Sequence, residues 1–325
     1  MGLPRIGIIG AGDLATRRIY PYIGAAGGML VAVCDQIEEK AKANAERFGA
    51  RTVYSDFKKM ISNEKLDGII VCIGPEMHAV IPREIMRMGL PVYTEKPPGV
   101  TAADVKEVMR VSNDTGLLCM TAFKKRYARC YQRAKQFILS PAFGNKQLLS
   151  VDYASGPYAN DCPRWFFLLD FGLHIIDLVR FLFGEVSEVY AISLKEHSFS
   201  ISLRFVDGAL GNLSLTDGRS WSIPTEEVEI TGGDGSFMTI HNSSSYKIYE
   251  RGQPTEFYES CLSTSVGDSG IESGHLVELG SFFRALGGLE RPVSTIDESY
   301  KTMVLYEAIL KSSRSGKMAK VEHNE

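Results

Sequence analysis

Short apolar runs alternate with helical patterns over the first 123 residues. The runs lie at residues 5–9, 29–34, 68–73, 91–94 and 117–123, and each predicts a buried strand. Helices are predicted between them, and one opens at Thr101 with Asp104 in the capping-box position. Strands that alternate with helices are typical of a doubly wound parallel sheet, so we predict an α/β domain over residues 1–123.

The spacing of apolar residues becomes alternating from about residue 145. Strands are predicted at residues 146–153, 186–194, 198–205, 209–215, 227–230, 236–240 and 246–249. Glycine-bearing turns join several consecutive strands, which predicts antiparallel pairing. A loop or lid is expected at about 254–270, and helices at about 272–287 and 297–313. We predict that residues 124–325 form a substrate-binding and oligomerisation α+β domain with a large, mostly antiparallel open sheet.

One predicted helix, residues 166–181, is apolar all round except for a polar stripe. Its polar members Asp170, His174 and Asp177 share one face at about 3.6 residues per turn. Buried carboxylates and imidazoles cost free energy unless they are paired or used. The stripe is therefore a satisfied core network, a metal site or a catalytic face, with Asp177 expected to be a supporting residue.

Composition excludes several classes of protein. The 325 residues are 44% hydrophobic and 23% charged, with a net charge of -3, which gives no basic field for nucleic acid. No apolar run reaches the ~20 residues of a membrane span, and from residues 1–10 we expect no signal peptide. The six cysteines form no C-x-x-C pair. We expect reduced thiols and a cytoplasmic location.

A glycine motif follows the first predicted strand. Gly10, Gly12 and Ala15 form G-x-G-x-x-A at the start of a helix, and Asp35 ends the next strand about 20 residues on. Gly10 permits a tight turn, Gly12 lets the backbone approach a pyrophosphate, and Ala15 allows close helix packing. The pattern predicts a dinucleotide-binding Rossmann domain.

Asp35 also indicates which dinucleotide is bound. A carboxylate in this position accepts hydrogen bonds from the adenine ribose hydroxyls and repels a 2′-phosphate, so NAD is favoured. Arg17 and Arg18 leave NADP possible.

Lys96 follows a predicted strand and precedes Pro97 and Pro98. Ligands of such sheets bind beyond the carboxyl ends of the strands, so this ammonium is a candidate general acid or base. The alternative is a surface lysine paired with Glu95.

Two motifs together carry a family resemblance. Glu95-Lys96-Pro97, about 80 residues after the glycine motif, and Asp170-x-Gly172-x-His174 resemble the glucose-fructose oxidoreductase and inositol dehydrogenase family. The resemblance implies that Lys96, Asp170 and His174 lie around the nicotinamide and the substrate carbon, and that Lys96-Pro97 is cis. Residues 165–167, Trp-Phe-Phe, stand where the family often has glycine.

The predicted site residues form two sets, and no metal is expected. The cofactor-binding set is Gly10, Gly12, Asp13, Leu14, Ala15, Asp35, Ile73, Gly74, Pro75, His78, Glu95 and Lys96. The substrate-binding set is Lys96, Lys125, Arg126, Tyr153, Trp165, Asp170 and His174. The basic run that contains Lys125 and Arg126, with Arg129 and Arg133, either recognises a phosphate or carboxylate or is a solvated helix face.

The predicted function is hydride transfer between NAD(P) and a secondary hydroxyl or carbonyl of a sugar, sugar derivative or cyclitol. His174 or Lys96 would take the proton. The resemblance favours Lys96 for holding and polarising the oxygen while His174 exchanges the proton with solvent. Asp170 would bind a second hydroxyl or tune its neighbours. The alternatives are a non-catalytic dinucleotide-binding regulator and a reductase of double bonds. An open, apolar sheet face would serve as the interface of a homodimer or homotetramer.

Overall fold

The computed structural model describes residues 2–158, 167–223, 225–260 and 270–322. The chain forms two compact units. The first unit is Met1–Lys124 with Gly274–Tyr300, and the second is Lys125–Ser273 with Lys301–Glu325. The assignment of separate cofactor and substrate functions to residues 1–123 and 124–325 stays a prediction.

The described helices follow in chain order. They are α1 (Asp13–Arg18), α2 (Tyr20–Ile23), α3 (Glu38–Phe48), α4 (Phe57–Asn63), α5 (Ile81–Arg87), α6 (Ala102–Thr115), α7 (Arg129–Ile138), α8 (Leu173–Phe183), α9 (His275–Leu286) and α10 (Ile296–Ser315). Short 3-10 turns occur at Pro75–Met77 and Lys124–Tyr127, and a π-helical turn at Leu168–Gly172. None of the described helices is long and apolar enough to cross a membrane.

A six-stranded parallel sheet forms the core of the first unit. Its strands are β1 (Arg5–Ile9), β2 (Met29–Cys34), β3 (Thr52–Tyr54), β4 (Gly68–Val71), β5 (Val92–Thr94) and β6 (Cys119–Thr121). The strand order β3-β2-β1-β4-β5-β6 reverses direction at β1, so β1 and β4 flank the switch point where ligands of such sheets bind. The predicted doubly wound Rossmann fold is confirmed. The capping box of Thr101 and Asp104 is present at the start of α6.

A nine-stranded sheet dominates the second unit. Its strands are β7 (Leu148–Ala154), β8 (Val186–Leu194), β9 (Ser198–Phe205), β10 (Leu210–Thr216), β11 (Thr225–Thr231), β12 (Phe237–His241), β13 (Ser245–Glu250), β14 (Gln253–Glu259) and β15 (Ala319–Lys320). Only β7 and β10 pair in parallel among the described strands of this sheet. The predicted mostly antiparallel sheet is confirmed. Strand β14 corrects the predicted loop at 254–270, of which residues 261–269 lie outside the described chain.

The exposed face of this sheet differs from the apolar face that we expected. Its central strands present polar side chains outward, among them Asp152, Asn212, Ser214, Glu227 and Glu229. Exposed apolar residues concentrate toward the sheet ends, at Ile192 and Leu194 on β8 and at Phe257 on β14. The expectation of a generally apolar face is wrong, because alternation along each central strand places the apolar residues on the buried face.

The helix that carries the polar stripe begins with the π-helical turn and continues as α8. Nearly every residue of α8 is buried, including His174, Asp177 and Arg180. The helix ends at Gly184, whose φ of 98° is available to glycine. The ammonium of Lys135 donates to the carbonyl of Phe181 at 2.6 Å, which satisfies one acceptor in the last turn.

A buried ion pair holds α8 to the start of the second unit. The Nε and Nη2 atoms of Arg126 each donate to the Asp177 carboxylate at 2.8 Å, and the Thr302 hydroxyl donates to the same carboxylate at 2.9 Å. Arg126 is 3% exposed and Asp177 is 0% exposed. Asp177 is therefore a supporting residue, because its buried carboxylate accepts hydrogen bonds from Arg126 and Thr302.

Removal of one member of this pair is predicted to destabilise the fold. Asp177→Ala leaves the Arg126 guanidinium buried without its counter-charge and should lower the free energy of unfolding by about 3–5 kcal/mol. The double change Arg126→Met with Asp177→Leu should recover most of that loss, because apolar side chains need no partner. Urea unfolding followed by circular dichroism measures both effects.

The exposed Asp114 is the matched control. Its carboxylate pairs with Arg110 at 3.2 Å and is 62% exposed, so Asp114→Ala should change stability by less than about 1 kcal/mol. If the Asp177→Ala protein were as stable as the Asp114→Ala protein, the predicted contribution of the Arg126–Asp177 pair to stability would be wrong.

Candidate functional site

Gly10 brings the ends of β1 and β4 into close contact. Its φ is 109°, and a Cβ there would lie 1.9 Å from the carbonyl oxygen of Cys72. The buried Tyr20 hydroxyl donates to the Gly10 carbonyl at 3.0 Å. A side chain is excluded at Gly10 by both conformation and space, which fixes the turn at the switch point.

Gly12 leaves open space in front of the first turn of α1. Gly12 is the N-cap of α1, with φ of -74°, and a Cβ built there meets nothing within 4 Å. The first helical residues, Asp13, Leu14 and Ala15, follow it, and Ala15 is fully buried. The first amides of a helix have no acceptor within the helix. This space and these donors fit the pyrophosphate of a dinucleotide.

Asp35 stands at the end of β2, beside the glycine loop. One carboxylate oxygen accepts the backbone N–H of Ala11 at 2.7 Å, and the other accepts that of Ile37 at 2.8 Å. Each oxygen has a second acceptor site, so the carboxylate keeps capacity for ribose hydroxyls. The guanidinium of Arg17 pairs with Asp13 on the exposed surface of α1.

The loops after β4 and β5 are joined through His78. Its Nδ1 lies 2.7 Å from the carbonyl oxygen of Pro97, and the Lys96-Pro97 peptide bond is cis. Burial lowers the pKa of His78 to about 4, so the neutral ring donates Nδ1–H to Pro97 at neutral pH. The Lys96 backbone N–H donates to the buried Glu95 carboxylate at 3.1 Å. The hydrogen bond between His78 and Pro97 therefore fixes the segment that carries Lys96 to the loop after β4.

The predicted cofactor residues share one edge of the first unit. Strands β2, β1, β4 and β5 are neighbours in that order, so the loops at their carboxyl ends lie side by side. Ile73 and Lys96 are half-buried, Gly74 is exposed, and Pro75 is buried. These strand ends and the open space at Gly12 lie on the edge where ligands of such sheets bind.

Asp170 of the second unit lies in the π-helical turn, half-buried. A turn with i→i+5 hydrogen bonds holds more residues than an α-helical turn, so the uniform spacing that we assumed for the polar stripe is wrong at Asp170. The Tyr158 hydroxyl donates to the Asp170 carboxylate at 2.7 Å. Burial, followed by the Asp170 charge, raises the pKa of Tyr158 well above its ordinary value, so it remains a donor.

His174 occupies the first turn of α8 and is 8% exposed. It follows Asp170 by four residues, across the change from π-helix to α-helix. Both belong to one continuous helical segment, which fixes the backbone that carries them. Such π-helical turns are frequent at functional sites.

Aromatic rings surround the Asp170 segment. Tyr153 stacks on Phe171 at 4.3 Å between ring centroids, and Phe171 meets Trp221 edge to face at 5.9 Å. Tyr158 lies 5.5 Å from Trp221. Tyr158, which donates to the Asp170 carboxylate, therefore belongs to a cluster of aromatic side chains in the second unit.

Lys125 is buried in a second charge cluster. Its ammonium contacts the Glu226 carboxylate, which also accepts from the Tyr131 hydroxyl and, at 2.8 Å, from the Ser243 hydroxyl. Burial alone would raise the pKa of Glu226, but the Lys125 charge and these hydrogen bonds lower it below its ordinary value. Glu226 is thus an ionised carboxylate in the core that accepts hydrogen bonds from three side chains.

The basic run is therefore not a solvated helix face at Lys125 and Arg126, which are 5% and 3% exposed. That interpretation is wrong for these two residues, because each charge is neutralised by a buried acid. Arg133 donates to Glu256 at 2.9 Å, and Arg129 lies 3.6 Å from Glu272. Contact of Lys125 or Arg126 with a substrate stays a prediction.

Three residues of the clusters around Lys125 and Asp170 were not predicted from the sequence. Glu226 could have been found, because it is in phase with Val228 and Ile230 on the inward face of β11. Tyr158 and Trp221 lie outside regular elements and gave no periodic signal. Trp165 lies outside the described residues. Within residues 2–158, 167–223, 225–260 and 270–322, no three His, Cys, Asp or Glu side chains are placed to share a metal ion.

Comparisons with known proteins identify the family of both domains. A model of an oxidoreductase family with an NAD-binding Rossmann fold matches residues 4–123, and a model of that family's C-terminal alpha/beta domain matches residues 160–322. The myo-inositol 2-dehydrogenase of Thermotoga maritima is 23% identical, over 98% of both chains. The D-apiose dehydrogenase of Paraburkholderia graminis is 23% identical over 97% of this chain and 89% of its own.

Among solved structures, a levoglucosan dehydrogenase in complex with NADH and L-sorbose superposes with a TM-score of 0.88. It is 19% identical and covers 100% of both chains, so this likeness concerns the fold. The two matched domain models span most of the chain. The protein therefore belongs to the GFO_IDH_MocA family of oxidoreductases, with an NAD-binding Rossmann domain at its N-terminus.

Proposed function

We propose that the protein is an NAD-dependent dehydrogenase of a sugar, sugar derivative or cyclitol. The observation that carries the proposal is Asp170, a half-buried carboxylate braced by Tyr158 and four residues ahead of His174, in a chain with an NAD-binding Rossmann domain. Relatives named myo-inositol 2-dehydrogenase and D-apiose dehydrogenase support this substrate class. Both span most of this chain.

The proposed chemistry oxidises a secondary alcohol to a ketone. Bound NAD would accept the hydride from the carbinol carbon, and the hydroxyl proton would leave to a base of the protein. Lys96 holds and polarises the reacting oxygen, and His174 exchanges the proton with solvent. Asp170 accepts a hydrogen bond from a second hydroxyl, which orients a polyhydroxylated substrate.

Asp35 favours NAD over NADP in this proposal. Its carboxylate is held at the end of β2 by the N–H groups of Ala11 and Ile37, where a ribose 2′-phosphate would meet like charge. Arg17 keeps NADP as the alternative cofactor, because its pair with Asp13 is exposed and therefore weak.

Gly12→Ala tests the cofactor site separately from the fold. The added methyl meets no protein atom within 4 Å, but alanine is a poorer N-cap than glycine, so stability to urea should fall by about 1 kcal/mol or less. The methyl enters the space proposed for the pyrophosphate, so the Kd for NAD measured by calorimetry should rise about tenfold or more. Gly24→Ala, also with open space and a φ of -65°, is the control and should bind NAD as the wild type does. Equal NAD affinity in both variants would refute this placement of the cofactor.

Lys96→Ala and His174→Ala test the catalytic assignment. The wild type should reduce NAD with at least one member of a panel of sugars and inositols, followed by absorbance of NADH. Each variant should lose about 10²- to 10⁴-fold in kcat/KM, because a proton-transfer or polarising group is removed. The His174→Ala protein should keep its Kd for NAD.

Exposed residues of the same types serve as controls. Lys40 and His241 are exposed. Lys40→Ala and His241→Ala should therefore keep kcat/KM within about twofold of the wild-type value. Full activity after loss of both Lys96 and His174 would contradict the mechanism. Tight NAD binding with no turnover on any polyol would favour a regulatory role instead.

We also propose a homodimer or homotetramer formed through the exposed sheet face. The support is the pair Ile192 and Leu194, which are 58% and 71% exposed on neighbouring outward positions of β8. Sedimentation should give two or four times 35.9 kDa, and Ile192→Asp with Leu194→Asp should shift the protein toward monomer. A wild-type monomer at about 100 μM would contradict this proposal.

A further inference from the structure

We propose that Trp221, with Phe171 and Tyr158, forms an aromatic wall that binds the apolar C–H face of a ring-shaped polyol beside Asp170. The inference rests on the proposed function and deepens it, because it assigns a residue that selects cyclic over open-chain substrates. All four residues belong to the second unit and to the described part of the chain.

Packing holds the indole of Trp221 in place. Its Nε1–H donates to the carbonyl of Pro157 at 3.3 Å. A Cβ at Gly156 would lie 2.3 Å from Cδ1 of Trp221, so the absence of a side chain at Gly156 makes room for the indole. The loop before Trp221 is tied to the same segment, because the Arg219 N–H donates to the Ser155 carbonyl at 3.0 Å.

The indole is nevertheless 54% exposed. Single exposed apolar residues are ordinary, but this one continues a cluster: Phe171 lies edge to face at 5.9 Å and 89°, and Tyr158 lies at 5.5 Å and 54°. A fixed aromatic surface loses little conformational entropy when a ligand covers it, which is why Trp and Tyr recur as binding anchors. The exposed part of Trp221 is therefore suited to ligand contact.

Tyr158 joins the wall to the polar part of the site. Its ring contacts Trp221, and its hydroxyl donates to Asp170 at 2.7 Å. A pyranose or cyclitol ring carries C–H groups on its faces and hydroxyls around its rim. The wall would cover one face and exclude water there, while Asp170 accepts from a rim hydroxyl. An open-chain polyol has no persistent flat face and gains less from the wall.

Trp221 fluorescence tests the contact without requiring turnover. The chain holds two tryptophans, so the difference in emission between the wild type and Trp221→Phe reports Trp221. With NAD at a saturating constant concentration, myo-inositol or D-xylose should change the Trp221 emission saturably, and D-sorbitol should change it at least tenfold less at equal concentration. No response to either ring compound up to about 100 mM would overturn the proposal.

Kinetics then test the energetic role on the compounds that turn over. Trp221→Ala should raise KM for a ring substrate about tenfold or more with kcat within about threefold, because binding is weakened without loss of proton transfer. Trp221→Phe should recover most of the affinity. Phe257→Ala removes another exposed aromatic side chain, 61% exposed on β14, and should leave KM unchanged. An unchanged KM in Trp221→Ala would overturn the proposal.

The results separate this inference from the proposed function. NADH production with no response of Trp221 emission keeps the dehydrogenase and overturns the wall. A saturable emission response without NADH production keeps the wall and overturns the dehydrogenase. A change in sedimentation of Trp221→Ala, with no ligand response, identifies Trp221 as a subunit contact and overturns the wall.

Discussion

The second unit depends on the burial of charge in a helix that is otherwise apolar. Asp177 and Arg180 lie inside α8 with almost no exposure, and a carboxylate in such a place is tolerated only with a close counter-charge. Arg126 supplies it through two hydrogen bonds, and Thr302 supplies a third. That pairing joins α8 to residues 126 and 302, and His174 and Asp170 lie on the same continuous helical segment.

The same constraint shapes the core beneath the sheet. Glu226 points inward from β11 and is ionised, because Lys125, Tyr131 and Ser243 all direct donors to it. Neighbouring residues Lys125 and Arg126 therefore serve two different buried acids, one on a strand and one on a helix. The positive charges of Lys125 and Arg126 at the start of this unit are therefore structural.

The first unit depends on a different constraint, the close approach of the backbone after β1 to the backbone after β4. Gly10 lets β1 and β4 converge, and Gly12 leaves space in front of the first helical amides. The hydrogen bond from His78 to the Pro97 carbonyl also fixes the segment that carries Lys96. The lowered pKa of His78 keeps its ring neutral at neutral pH. A cofactor site of this kind consists mostly of backbone, which explains why few side chains identify it.

The sequence alone determined the sheet classes, most of the strands and the family. These features depend on local periodicity and on glycines whose conformational role is independent of distant residues. It also indicated Asp177 as a supporting residue, because a third acid in an apolar helix needs a partner.

Only the tertiary structure decided which partners meet. The Lys125–Glu226 and Arg126–Asp177 pairs join residues 101 and 51 positions apart, and no local pattern distinguishes a solvated lysine from one paired in the core. The π-helical turn at Asp170 and the fixed indole of Trp221 likewise depend on packing between segments. The spacing of apolar residues shows which face of a helix or strand is buried. The side chains that contact this face come from distant parts of the sequence, so only the tertiary structure identifies them.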